Sequence, residues 1–254
     1  MLVAALDTAT LTLSCALVEL APGRAERIAE RTEHAAVKPA AGATGGHGAR
    51  LPGALQDLLV ATDRRLPEIE GWAIGLGPGS FTGLRIGLAT WKGLAYANRR
   101  PIAGASSLAA MALAAAPDAP EGAILVPLLD AKKGEVYAGF YRVAGDGVQA
   151  LLPEAAIAPE ALAARLAALP AGGPGAFGFG EGFAAHRAAL EGALPALATE
   201  LQSPPAHAIA RLAAGRLLGT AFDAQALFAL EPHYVRASEA ELKFPKGLGP
   251  GAEK

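Results

Sequence analysis

The chain has 254 residues, 52% hydrophobic and 18% charged, enough for one large or two modest globular units with real cores. A net charge of −2 with no long run of Lys or Arg excludes a strong electrostatic footprint for nucleic acid, and 6% aromatics leave few platforms for stacking bases. The single cysteine, Cys15, excludes an internal disulfide and a multi-thiolate zinc site, which suits a reducing, cytoplasmic compartment. The apolar opening MLVAALDTATLTLSCAL has no basic flank and is interrupted by Asp7, so a signal peptide is not expected. No stretch reaches the roughly eighteen uninterrupted apolar residues of a spanning helix, so no membrane association is expected.

In chain order, residues 2–6 and 11–20 are β-prone runs around the turn-forming DTAT, and residues 25–32 supply a third strand of a hairpin or meander. Residues 33–50, EHAAVKPAAGATGGHGAR, show no period and read as a mobile loop. A helical period then begins, with Leu51, Leu55, Leu58, Leu59 and Leu66 near one face. IEGWAIGLG is a buried strand entering GLGPGSFTGLRIG, residues 75–87, and a helix follows over Leu84–Asn98. A second set opens near Ser106, where serines cap the helix-forming run SSLAAMALAAA. AILVPLLDA and EVYAGFYRV form two strands joined by a KKG turn; helices are expected at 159–169, 181–191 and 206–219, and a strand in PGAFGFG. Two successive sets, each with a strand hairpin carrying an aspartate, outline a duplicated α/β fold.

Each chemical motif has two readings. Asp7 at a strand end, with Thr8 and Thr10 behind it, suits a metal-bound phosphate; an Asx or ST turn explains it as well and is favoured, because DTAT lacks glycines that let amides close around phosphate. In GPGSFTGLRIG no lysine follows in the Walker position, the glycine spacing is not that of a dinucleotide loop, and Ser80 lacks the G-x-S-x-G setting of a nucleophile. Turn and helix cap, with Ser80 or Thr82 capping, is the favoured reading there. Asp130 and Lys132 in LLDAKKGEVY offer a carboxylate and an anion partner, against the reading of a solvated hairpin tip. Gly178 and Gly180 in GFGEG leave room for a flat group such as adenine, or simply turn a strand into a helix. Asp7, Thr8, Asp130, Lys132, Gly178 and Gly180 are thus the candidate nucleotide-binding residues. The histidines His34, His47, His186, His207 and His233 include no pair four residues apart, so no metal site is expected, and His47 and His233 read as exposed or satisfied.

LDTAT at 6–10, GPGSFTGLRIG at 77–87, LLDAKKGEVYAG at 128–139 and HYVRASEAE at 233–241, in that order and spacing, resemble the bacterial TsaB family, also called YeaZ. The likeness spans nearly the whole chain except the loop 33–50 and the tail after Lys243, and GPGSFTGLRIG is its most specific block. It implies an actin-like (ASKHA) duplicated fold of two subdomains, each with a mixed sheet and flanking helices. Residues 1–105, joined by 222–243, are the expected N-terminal subdomain, 106–221 the C-terminal one and 244–254 a flexible tail. The resemblance also implies a non-catalytic subunit that supports the catalytic TsaD subunit, with the ATPase TsaE, in forming threonylcarbamoyladenosine beside the anticodon of tRNAs reading ANN codons. No catalytic residue and no cofactor of its own are then expected; ATP is used by the complex, and tRNA is met only indirectly. The catalytic relative carries a His-x-x-x-His metal motif whose two positions fall, ungapped, on Ser107 and Met111, neither able to replace an imidazole. A free-standing actin-like ATPase or sugar kinase and a degenerate glycoprotease-like peptidase are the alternatives.

The expected partner surface is the helix pair at 51–62 and 84–98, through Leu51, Leu55, Leu58, Leu59, Leu84, Leu88 and Trp91. The same surface would pair two copies when the chain is alone. Internal burial of all seven side chains is the competing reading, since sequence does not distinguish core from interface.

Overall fold

A computed structural model describes residues 1–34, 47–169 and 173–236. The middle of the expected 33–50 loop and the tail 244–254 lie outside the described residues, as does the side chain of His47.

Strands β1 (Leu2–Asp7), β2 (Thr12–Ala21) and β3 (Arg24–His34) form an antiparallel meander. Strand β4 (Gly71–Gly75) adds parallel to β1, and β5 (Ile102–Ala105) parallel to β4, giving the order β3-β2-β1-β4-β5. Every residue of β1 and β4 is buried, as a central strand covered on both faces requires. Helices α1 (His47–Ala61) and α2 (Phe81–Ala97) cover one face, where Leu6, Leu17, Ile74 and Leu88 surround an edge-to-face pair of Trp72 and Trp91 at 5.3 Å.

The second lobe repeats the plan. Helix α3 (Ser107–Ala115) leads into strands β6 (Ile124–Lys132), β7 (Glu135–Ala144) and β8 (Gly147–Ile157), again an antiparallel meander. Strand β9 (Ala176–Phe179) lies parallel to β6, and the order β8-β7-β6-β9 repeats the first four positions of the first sheet. Helix α3 is apolar nearly all round and is accordingly buried, filling one face with Leu108, Met111, Leu125 and Tyr141. Short helices α4 (Leu162–Ala167), α5 (Glu181–Ala185) and α6 (Arg187–Leu190) serve the other face with Leu162, Phe183 and Leu190. The expected single helix at 181–191 is thus divided at His186.

One helix lies outside the unit expected for it, and another was not anticipated. Helix α7 (Ala206–Leu217), assigned to the C-terminal unit, packs instead on the free face of the first sheet, where Ile209 and Ala213 meet Val3, Val18 and Ala73. The first sheet anchors it: Ser14 Oγ accepts the Ala206 N–H at 2.9 Å, and Glu30 accepts the His207 N–H at 3.1 Å and lies 2.7 Å from His207 Nδ1. Helix α8 (Ala224–Ala229), not anticipated, returns to α2 and inserts Leu227 into the first core. Its cap was visible, since Asp223 accepts from the Gln225 and Ala226 amides. Strand β8 was also missed; GVQALLPEAAI carries a proline and no clean alternation, which an edge strand tolerates.

Candidate functional site in the cleft between the lobes

The turns that follow β1 and β6 face each other across a cleft of ≈ 670 Å³, within the range of small-molecule sites. The first lobe contributes Ala9–Leu11 and the loop Pro78–Phe81; the second contributes Asp130–Lys133, Tyr137, Glu181 and Ala185; His233–Arg236 complete the rim.

The glycine-rich loop is a turn and a cap. Ser80 Oγ accepts the Gly83 N–H at 3.2 Å, opening α2 as expected. A Cβ on Gly79 would lie 2.3 Å from the Ala9 carbonyl, and one on Gly87 would lie 2.3 Å from Thr8 Oγ1, so these glycines let α2 close onto the first hairpin.

Four of the six candidate nucleotide contacts lie away from the cleft. Asp7 is fully buried; its Oδ2 accepts from Ser107 Oγ at 2.5 Å and its Oδ1 from the Ala9 N–H at 2.8 Å. Burial pushes its carboxyl from 3.8 up to about 7, although the bonds from Ser107 and Ala9 pull it down. Gly75 is the reason for the seal, because a Cβ there would come within 1.9 Å of Asp7 Oδ2. Thr8 is buried and donates to the Gly83 carbonyl at 2.9 Å. The space beside Gly178 is taken by Phe183 and Leu194, within 2.6 Å of where its Cβ would stand, and Gly180 lies against the Leu128 carbonyl. No room for a flat group remains at either glycine.

Asp130 and Lys132 do line the cleft. Lys132 donates to Asp130 through its backbone N–H at 2.8 Å and its ammonium at 2.6 Å. Burial alone would raise the Asp130 carboxyl, yet the bonds from Lys132 hold it below its usual value. The hairpin tip runs through the left-handed region at Lys132 (φ 62°), Lys133 (φ 56°) and Gly134 (φ 80°), a bulge followed by a two-residue turn. Ser107 and Met111 are both buried in α3, and among the described residues no group of three His, Cys, Asp or Glu side chains is arranged to hold a metal ion. No helix among the described residues is long and apolar enough to cross a membrane.

The seven proposed contact residues of α1 and α2 are a correction. Leu51, Leu55, Leu58, Leu59, Leu84, Leu88 and Trp91 are all buried inside this chain, six against the first sheet and Leu84 beside α3. Two helices lying flat on a sheet need that whole stripe for their own core. The large apolar side chains that α1, α2 and α8 expose instead are Val60, Phe81, Tyr96 and Phe228.

The sequence reading gave the rim no contact role: it used HYVRASEAE at 233–241 only as a block of the resemblance, while the structure brings Arg85 to Tyr234, Arg236 to Glu135 and His233 beside Glu154.

A family model described as "TsaD: tRNA N6-adenosine threonylcarbamoyltransferase" matches residues 26–244. The solved structure of YeaZ from Pseudomonas aeruginosa superposes with a TM-score of 0.70 at 30% identity, covering 92% of this chain and 99% of that one. The chain belongs to that family, within it to TsaB (YeaZ). The TsaB protein of Bacillus subtilis, described as a tRNA threonylcarbamoyladenosine biosynthesis protein, is 28% identical over 96% of this chain and 98% of its own length. Its Escherichia coli counterpart is 36% identical over 47% of this chain, a match that spans about half (52%) of that protein. The repeated sheet order is that of the actin-like fold, and Asp7 at the end of the first strand is sealed inside the first lobe.

Proposed function

We propose that this chain is a non-catalytic subunit that binds and supports a TsaD-type catalytic subunit in making threonylcarbamoyladenosine in tRNAs reading ANN codons, with TsaE and ATP as further components. The observation that carries this reading is the sealed Asp7: the scaffold keeps its hairpin aspartate but holds it against Ser107 and Gly75, out of reach of any ligand. Ser107 and Met111, buried in α3, give the same support, since neither can ligate a metal as an imidazole does. The names of the relatives supply the pathway.

The partner is placed by this reading on the outer surface of α1, α2 and α8, where Val60 (75% exposed), Phe228 (63%) and Tyr96 (52%) stand out. A homodimer of the free chain would use the same surface and dissociate when TsaD is added. The chain itself needs no cofactor, works in the cytoplasm and meets tRNA only through the complex.

The deciding experiment is a reconstituted modification assay with this chain, TsaD, TsaE, ATP and tRNA, each omitted in turn. Omission of this chain abolishes modification, and the chain alone shows neither carbamoyl transfer nor metal-dependent hydrolysis; turnover by the isolated chain overturns the reading. Val60→Glu and Tyr96→Glu each weaken binding to TsaD at nearly unchanged melting temperature, because a carboxylate must be desolvated only in the complex. Leu55→Glu and Leu88→Glu unfold the chain itself.

A further inference from the structure

Beyond α8 the chain crosses the rim of the cleft and bonds to both lobes within four residues. On the first lobe the His233 N–H donates to the Leu76 carbonyl at 2.7 Å, and Arg85 Nε donates to the Tyr234 hydroxyl at 3.0 Å. The Tyr234 ring lies 5.1 Å from that of Phe81, and the Arg85 guanidinium sits 4.0 Å from the Phe81 ring centre. On the second lobe Arg236 donates to Glu135 Oε2 at 2.8 Å and to the Ala131 carbonyl at 3.2 Å, gripping the base of the second hairpin.

A buried group explains why the crossing starts at His233. The Glu154 side chain is only 9% exposed. Its Oε1 accepts from the Ser106 and Tyr141 hydroxyls, while its Oε2 has no hydrogen-bond partner among the described residues and lies 3.5 Å from His233 Nδ1. A carboxylate oxygen withdrawn from water without a donor is costly, and the imidazole of His233 is the group poised to satisfy it. His233 therefore touches both lobes, Tyr234 the first and Arg236 the second.

We propose that His233–Arg236 is a clasp that holds the two lobes closed over the cleft and that its detachment opens the cleft. The ties are polar and lie at half-exposed side chains, 30% for Arg236 and 36% for Glu135, so they are individually weak and can be released while the cores stay intact. The lobes remain joined by α3, whose N-cap Ser106 donates to the same Glu154 and whose cluster takes Ala9 and Leu84 from the first lobe and Leu129 and Phe179 from the second, which makes that layer the hinge.

The chain suits a direct test, because Cys15 is its only thiol and is fully buried. Ala61→Cys on the first lobe and Ala189→Cys on the second, both at exposed positions, take paired spin labels or dyes for a distance distribution between lobes. In the full chain carrying Tyr234→Ala and Arg236→Ala the mean separation lengthens and the distribution broadens. An unchanged distribution in the folded variant, with native Trp72 and Trp91 emission, overturns the clasp. Arg236→Gln alone, a change at the rim that leaves every core side chain in place, gives the same reading should the double variant fail to fold: a longer separation supports the clasp and an unchanged one sinks it.

Discussion

Asp7 and Glu30 titrate in opposite senses, and both can be read in the stability of the folded chain. The Asp7 carboxyl is raised from 3.8 to about 7 by burial, so between those values the folded state holds a proton that the unfolded state has released. Stability therefore falls as pH rises from about 4 to about 7 and is flat beyond that. Asp7→Asn keeps the shape and removes this slope; melting temperatures between pH 4 and 8 check it, and a variant with the parental slope refutes the assignment. For Glu30, burial favours the neutral form, but His207 and Ser14 outweigh it and hold the carboxyl at about 2, below its usual 4.5. Its contribution is complete above about pH 4.5 and is lost as pH falls toward 2, so Glu30→Gln flattens the acid side of the same curve. Cys15 is pushed up by burial and by the nearby Glu30 and Glu33 charges, so the native thiol resists alkylation at neutral pH and reacts only after unfolding.

At the scale of elements, helix α2 contains its own matched pair of tests. A Cβ on Gly87 meets Thr8 at 2.3 Å, so Gly87→Ala forces α2 off the hairpin and costs about 1–3 kcal/mol in denaturant unfolding. A Cβ on Gly93, on the exposed side of the same helix, meets nothing within 4 Å, so Gly93→Ala gains roughly 0.5–1 kcal/mol from helix propensity. Opposite signs six residues apart separate close approach from propensity. The glycine loop was legible in the sequence because its cues are local: a capping serine, glycines at a turn, and no lysine for phosphate. The pairing of β6 with β7 through KKG was legible for the same reason. The fate of Leu55 and Leu88 was not, since an apolar stripe looks identical whether it meets this chain's sheet or a partner's helix. Nor was the seal on Asp7, which depends on Gly75 and Ser107, far apart in sequence and brought together by β4 and α3.

For the whole molecule, the shared layer around α3 ties the lobes into one cooperative body. Both tryptophans belong to the first lobe, so their emission follows that lobe alone, whereas far-UV circular dichroism follows both sheets. The two signals are expected to share one denaturant midpoint, and separate midpoints would show lobes that unfold independently. The route taken by α7 carries a consequence for synthesis on the ribosome. The first sheet is translated first, yet the helix that covers Val3, Val18 and Ala73 lies at Ala206–Leu217, after the entire second sheet. One apolar face of the earliest structure thus waits, uncovered, until the last sheet strand has emerged. Chaperone capture of ribosome-bound chains should persist through the whole length of the second lobe and end only once α7 clears the exit tunnel.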